Sequence, residues 1–256
     1  MYAIFKREFL SYFRTPVGYV AMAIFTFISG FVFYTLFAKG FVNISEEIIS
    51  LRSLFIVIIP IITMGMFAED RKRGTEVLYY TAPVELFSVV LGKFLAAMAL
   101  CFVMFFNVFI HMIVVAVCGV HIGIGVFGSI LVFFFMAALF ISIGLLASVL
   151  TDNQIISAIV SFLFIFIIQL LSSIASYLGT AVSTFMSYVG ITDSSARKAA
   201  SQAVNGAVSW FDPFAKTLEF RDGIFSVSAL VFCFSFALFF LYLSFRIIEK
   251  KRWSQK

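Results

Sequence analysis

Long apolar runs separated by short polar stretches set the pattern of this chain. Six runs, at about 17–38, 53–68, 94–117, 127–150, 155–178 and 225–247, are built almost wholly from aliphatic and aromatic residues. Roughly 20 helical residues cross a hydrocarbon layer of about 30 Å, and most of the runs reach that length. They lack the in–out alternation of barrel strands, so helices are predicted. The expected fold class is an all-α integral membrane protein, one domain over 1–256 with six transmembrane helices. The second run is the weakest as an isolated helix, because Pro60 in "LFIVIIPIITMGMF" removes an amide and bends the axis.

The polar stretches divide the rest. Residues 2–14 put Tyr2, Phe5, Phe9, Tyr12 and Phe13 on one stripe and Lys6, Arg7, Ser11 and Arg14 mostly on the other. That pattern predicts an interfacial amphipathic helix over 1–16, stopped at Thr15-Pro16. Spans 1 and 2 then fill 17–68, a polar segment 69–93, spans 3 to 5 94–178, an external segment 179–224, span 6 225–247 and a tail 248–256. The external segment is rich in Ser, Ala, Gly and Thr. It carries the aromatic cluster "WFDPF", with Trp210, Phe211 and Phe214, which would anchor it at the interface or line an exit.

Composition excludes a soluble domain: 62% of residues are hydrophobic, mean hydropathy is +1.10 and only 12% are charged. The net charge of +5 does not point to nucleic acid, because the basic residues flank the spans. With the N-terminus inside, twelve Lys and Arg fall on inner segments and six on outer ones, four of those six spread along one long loop. Both termini are therefore expected in the cytoplasm, with basic side chains facing lipid headgroups. The first residues do not form a cleavable leader. Cys101, Cys118 and Cys233 have neither disulfide nor metal spacing and read as packing residues.

Few positions offer chemistry. Asn107 and His111 lie four apart on span 3 and could share a face on a proton or substrate path. The sequence shows no carboxylate partner for His111, so packing is the plainer reading, while His121 falls near the outer boundary. "CGVHIGIGVFG" has glycines but no βαβ unit around them, which predicts a turn between spans 3 and 4. Gly144 with Ser148, and Ser157 with Ser161, are small-residue pairs that predict close helix packing. The 36 Phe residues read as lipid-facing bulk. No G-x-x-x-x-G-K-S/T motif occurs: Phe87 stands where its first glycine belongs and Phe94 follows Gly92-Lys93.

The densest charge lies in "MFAEDRKRGTEVLYYTAPVELFSVVLGK", which holds eight charged residues between two spans. It reads either as a solvated loop that enforces topology or as a docking surface with charges beside exposed aromatics. This stretch resembles the signature region of ABC-2-type transporter permeases, through Glu69, Asp70, Arg71, Arg73, Gly74, Thr75, Glu76, Leu78, Pro83, Val84, Gly92 and Lys93. Tyr79-Tyr80 departs from the leucines many relatives carry. "KREFLSYFRTPVGYV", "PIITM", "TDNQIISAIVSF" and "FRDGIFSVSAL" resemble the family in the same order, closest to its gliding-motility and copper-enzyme-maturation subgroup.

The resemblance implies a transport subunit rather than an enzyme. A separate ATP-binding subunit, in two copies, would bind ATP and Mg, leaving this chain without a cofactor or metal. It would dock on Glu69, Asp70, Arg71, Arg73, Gly74, Thr75 and Glu76 with Lys6 and Arg7 of the interfacial helix. A second permease chain, identical or related, would complete an exporter in a prokaryotic cytoplasmic membrane. Two alternatives stand beside export: a mechanotransmission subunit driving an extracytoplasmic partner, and a membrane-embedded enzyme using His111.

Overall fold

The computed structural model describes residues 1–40, 43–77, 85–120, 123–189 and 193–254, and among them every regular element is helical. The chain opens with α1 (Tyr2–Arg14). Thr15 is extended, as sterics require of a residue before proline, and Pro16 opens α2 (Pro16–Ala38) where a missing amide costs nothing. After Asn43 caps it through Ser45 N come α3 (Ile44–Leu51), a 3₁₀ turn (Arg52–Leu54), α4 (Phe55–Thr63) and α5 (Ala68–Lys72). Two long helices follow, α6 (Leu86–Val117) and α7 (Gly125–Leu150). The rest are α8 (Gln154–Gln169), α9 (Leu171–Tyr188), α10 (Ser194–Ser209), α11 (Pro213–Lys216), a 3₁₀ helix (Leu218–Asp222) and α12 (Val227–Ser254).

Five helical segments are long and apolar enough to cross a membrane, and the bent pair α8–α9 makes up to six. The second span begins earlier than its apolar run suggests: it covers Ile44–Lys72 rather than 53–68. Glu47 and Arg52 interrupt the hydropathy pattern, yet both are buried against partners inside the bundle, so Arg52 is not in an outer loop. Pro60 does not end α4, which continues to Thr63. The third span likewise starts at Leu86, placing Gly92 and Lys93 within the helix instead of the preceding loop. The predicted fifth span, 155–178, bends by 51° at the junction of Gln169 and Leu171.

The start of α1 and the end of α12 lie at one end of the bundle. Ile4 and Met1 touch Gly92 at the start of α6, and Lys251 donates to Val149 O at the end of α7. This is the basic end. The far end holds the start of α7, where Gly125 meets Gly223. There the segment after Trp210 dips inward: Thr217 reaches Met136, about 16 Å along α7 from Gly125 at 1.5 Å per residue. The segment after Trp210 therefore packs into the bundle at Thr217.

α7 is the centre. Its most apolar window is 67% buried, against 17% for α2, and it carries no charged residue to exclude it from the core. Phe133 on α7 meets Phe25 of α2, Phe55 of α4 and Phe105 of α6, with centroids 4.8–6.2 Å apart. Gly144 lets α4 approach: a Cβ there would stand 2.9 Å from Thr63 Cβ. Gly144→Val is expected to destabilise the bundle by about 1–3 kcal/mol through overpacking. Thermal unfolding in detergent reads this out, and Thr63→Ala should recover part of the loss.

α9 and α10 form a hairpin in which Gly179 packs on Ser201. Asp193 caps α10, accepting from Ser195 Oγ at 2.7 Å and Ser195 N at 2.9 Å. These hydrogen bonds hold its carboxyl below the usual carboxylate range. The folded value is lower than the unfolded one, so the contribution is present at neutral pH and lost as acid protonates the cap. Amide protection in the first turn of α10 should fall on acidification in the native chain. Asp193→Asn, which caps without titrating, should flatten that response.

Candidate functional site at the basic end

Between α4 and α5 the second span breaks over residues 64–67, exposing backbone groups that a continuous helix would pair. Three other elements satisfy them. Tyr12 of α1 donates its hydroxyl to Ile62 O at 2.8 Å. Ser148 of α7 accepts from Phe67 N at 2.9 Å and Ala68 N at 3.2 Å, and donates to Met64 O at 3.3 Å. Lys93 of α6 donates to Met66 O at 2.5 Å. Burial, aided by Glu8 and Cys101, pushes the Tyr12 phenol well above its usual range, so it stays protonated and donating.

Lys93 also joins charges from two elements. Its ammonium, with the side chain only 1% exposed, lies 3.0 Å from Glu8 Oε1 on α1 and 2.6 Å from Asp70 Oδ2 on α5. A buried cation is tolerable only with such partners. Arg7 adds a contact to Glu8 at 2.5 Å and to Asp70 at 3.7 Å. Thr75 Oγ1 donates to Asp70 O at 3.1 Å and Oδ1 at 3.0 Å. One side chain on α6 thus ties the N-terminal helix to the segment after the break.

Arg71 makes a second junction. Its guanidinium donates to Glu76 Oε2 at 2.9 Å, Thr151 O at 2.8 Å, Val149 O at 3.1 Å and the Asp152 carboxylate. It therefore links the polar segment to the turn between α7 and α8. Lys251 of α12 donates to the same Val149 carbonyl at 3.1 Å. Gly74, at φ +71°, turns the chain between Arg71 and Glu76 in a left-handed conformation that L side chains rarely adopt. A cavity of about 270 Å³ with a mixed polar and apolar lining opens beside these junctions, lined by Arg7, Glu8, Tyr12, Gly65, Asp70 and Gln154 among others.

The family match extends along this framework, covering residues 2–248 with the description ABC-2 family transporter protein. The chain belongs to the ABC-2 transporter family. No curated protein matches it. As an ABC-2 chain it is a multi-pass membrane component of an ABC transporter, a transport protein by family. Its predicted docking residues separate into two sets. Asp70, Arg71, Thr75 and Glu76 are tied into the two junctions, whereas Lys6 and Arg73 are exposed and Arg73 pairs with Glu69. Leu78, Tyr79, Tyr80, Pro83 and Val84 lie outside the described residues.

Residue chemistry alone missed four members of this ABC-2 site. Glu8 and Asp152 are single acids whose partners lie far away in sequence. Lys93, though part of the family resemblance, falls in an apolar stretch that gives no sign of its three acceptors. Lys251 sits in what reads as a basic tail.

At the far end His111 does have a carboxylate partner, contrary to the sequence expectation. Its Nδ1 lies 2.6 Å from Glu47 Oε1, and Asn107 Nδ2 donates to Ser29 Oγ at 3.2 Å beside it. His121 lies outside the described residues. Phe214 packs on Phe140, while Trp210 and Phe211 are exposed, with Lys216 Nζ 4.5 Å from the Trp210 ring. Cys118 is exposed rather than packed, unlike Cys101 and Cys233.

Proposed function

We propose that this chain is the force-receiving membrane subunit of an ABC exporter. Its basic end faces the cytoplasm and docks a separate ATP-binding subunit, which binds ATP and Mg²⁺. The observation that carries this reading is the Lys93 junction. A push on α1 or on the segment around Asp70 passes through one buried ammonium to α6, and through Ser148 to α7. ATP turnover can bias the bundle only if the docked motor grips one arrangement of these elements better than another. The cluster has groups to grip: Lys6, Glu69 and Arg73 reach solvent beside the junctions. The orientation follows from the basic residues flanking the spans.

Two permease chains and two ATP-binding subunits would form the exporter, in the cytoplasmic membrane of a prokaryote. The chain leaves large apolar faces on α2 and α8 uncovered, through Phe27, Phe31, Ile155 and Ile159 among others. Lipid and a second permease chain would share these faces, with α1 lying along the membrane surface.

Arg73→Glu tests the docking, because Arg73 is exposed and its change spares the buried network. Co-purification of the ATP-binding subunit and its permease-stimulated ATPase activity should fall at least about tenfold on this charge reversal. Lys39→Glu, at the far end, should leave both unchanged. Equal behaviour of the two variants would overturn the assignment.

A second reading is favoured by α10, which buries none of its residues within this chain. In this reading the hairpin α9–α10 passes motion to an extracytoplasmic partner. Substrate uptake into inverted vesicles separates the two: accumulation supports export, and ATP turnover without accumulation supports mechanotransmission.

A further inference from the structure

A carboxylate in the apolar part of the bundle is costly unless its charge is met, and Glu47 is met on one oxygen only. Its Oε1 receives His111 Nδ1 at 2.6 Å and Ser29 Oγ at 3.1 Å. Its Oε2 is buried and has no hydrogen-bond partner among the described residues. The Glu47 side chain is 1% exposed and that of His111 11%, and Phe33 stacks on the imidazole at 4.2 Å. The cluster draws Ser29 and Phe33 from α2, Glu47 from α3, and Asn107 and His111 from α6. It stands about 27 Å along α6 from Lys93, at 1.5 Å per residue.

We propose that Glu47 and His111 form a proton-binding site, holding one proton while α2, α3 and α6 are packed together and exchanging it with the far-side medium when they part. The charge balance requires this. With one proton the pair is neutral, either as imidazolium and carboxylate or as imidazole and carboxylic acid with the proton on Oε2. With none it leaves a bare buried anion, and with two a bare buried cation, both disfavoured in a low dielectric. No covalent step is involved: a proton enters from water and leaves to water.

Other titratable groups frame the site without replacing it. α2 carries Tyr34, with Lys39 just past its end; α3 carries Glu46; the 3₁₀ turn after α3 carries the buried Arg52; and α6 carries Cys101, with Cys118 just past its end. α7 has no titratable side chain, and the 3₁₀ helix Leu218–Asp222 brings Glu219.

The sign of the coupling follows. Once water reaches the pair, an ordinary imidazole gives up its proton above about pH 6.5 and an ordinary glutamic acid above about 4.3. Above about pH 6.5 the closed form therefore binds one proton more than the open form, and the open-to-closed ratio rises up to about tenfold per pH unit. Between about 4.3 and 6.5 both forms hold one proton and the ratio is flat.

The test uses the full chain in lipid nanodiscs and needs no ATP-binding partner, so its failure is distinct from failure of the docking assignment. Amide exchange of α3 and the far half of α6, corrected for intrinsic rates, reports the opening ratio. The native chain should lose up to about tenfold in protection per pH unit above about 6.5 and none between about 5 and 6. Glu47→Gln should abolish that slope and reverse its sign below about 6.5, since only the opened imidazole then gains a proton. His111→Gln should extend the slope down toward about 4.3, and it carries the test alone if Glu47→Gln fails to assemble. The chain has two histidines, so His121→Gln leaves a single imidazole whose ¹⁵N resonance should report one protonation state throughout in the closed form. Protection independent of pH in the native chain, identical profiles in the variants, or free titration of that imidazole would each overturn the proposal.

Discussion

Lys93→Met is expected to destabilise the bundle by about 3–5 kcal/mol, the cost of removing one partner from a buried charge cluster. The substitution keeps the apolar volume of the stem but leaves Glu8 and Asp70 facing each other without the ammonium they share. It also strips Met66 O of its donor. Chemical denaturation of the purified chain should show the loss, and Lys93→Met combined with Asp70→Asn should recover a measurable part by removing one of the opposed charges. If the single substitution unfolds at the native denaturant concentration, the ammonium contributes no stability and the junction is not the link between α1, α5 and α6.

The second large effect is expected from Ser148→Ala. One hydroxyl serves the break in the second span, accepting from Phe67 N and Ala68 N and donating to Met64 O. Each buried group left without a partner costs about 1–3 kcal/mol, so deleting one oxygen should rival the Lys93 substitution. The damage should be local: amide protection at Phe67 and Ala68 collapses first, while the centre of α7 stays protected. In the assembled transporter the same variant should uncouple ATP turnover from transport, because the segment bearing Asp70 and Arg71 loses its tie to α7. Retained protection at both amides would show that the break is held by other means.

Much of this could be read along the chain, and the parts that could not share one cause. Helix boundaries near proline and small-residue turns were legible: Thr15-Pro16 does separate α1 from α2, and Gly119 adopts φ +81° between α6 and α7. The pairing of Gly144 and Ser148 as a close-packing face held as well, with Thr63 against the glycine and the broken backbone against the serine. The start of the second span was missed because Glu47 and Arg52 weigh against burial when scored one residue at a time. In the fold Glu47 meets His111 and Ser29, while Arg52 meets Thr217 and donates to Ile49 O at 3.1 Å. The bend at Gln169 was missed for a related reason. Residues 170–178 remain apolar enough to continue a span, and in the fold they belong to α9, which bends away from α8 and packs on α10.

Hydropathy by itself determined that the chain is helical and crosses a membrane repeatedly, since uninterrupted apolar runs leave a bilayer-soluble helix as their one cheap conformation. The clustering of charge around Glu69 to Glu76, and the scarcity of charge elsewhere, were equally properties of the sequence. Only the tertiary structure decided which of those charges are structural and which are free to meet a partner. The distance between Lys93 and Glu8, or between His111 and Glu47, is set by how helices pack, and electrostatic energy depends on that distance and on the water excluded around it. Nothing in the order of residues 8, 70 and 93 encodes their meeting. The fold brings them together, and with them the mechanical link between the N-terminal helix and the bundle.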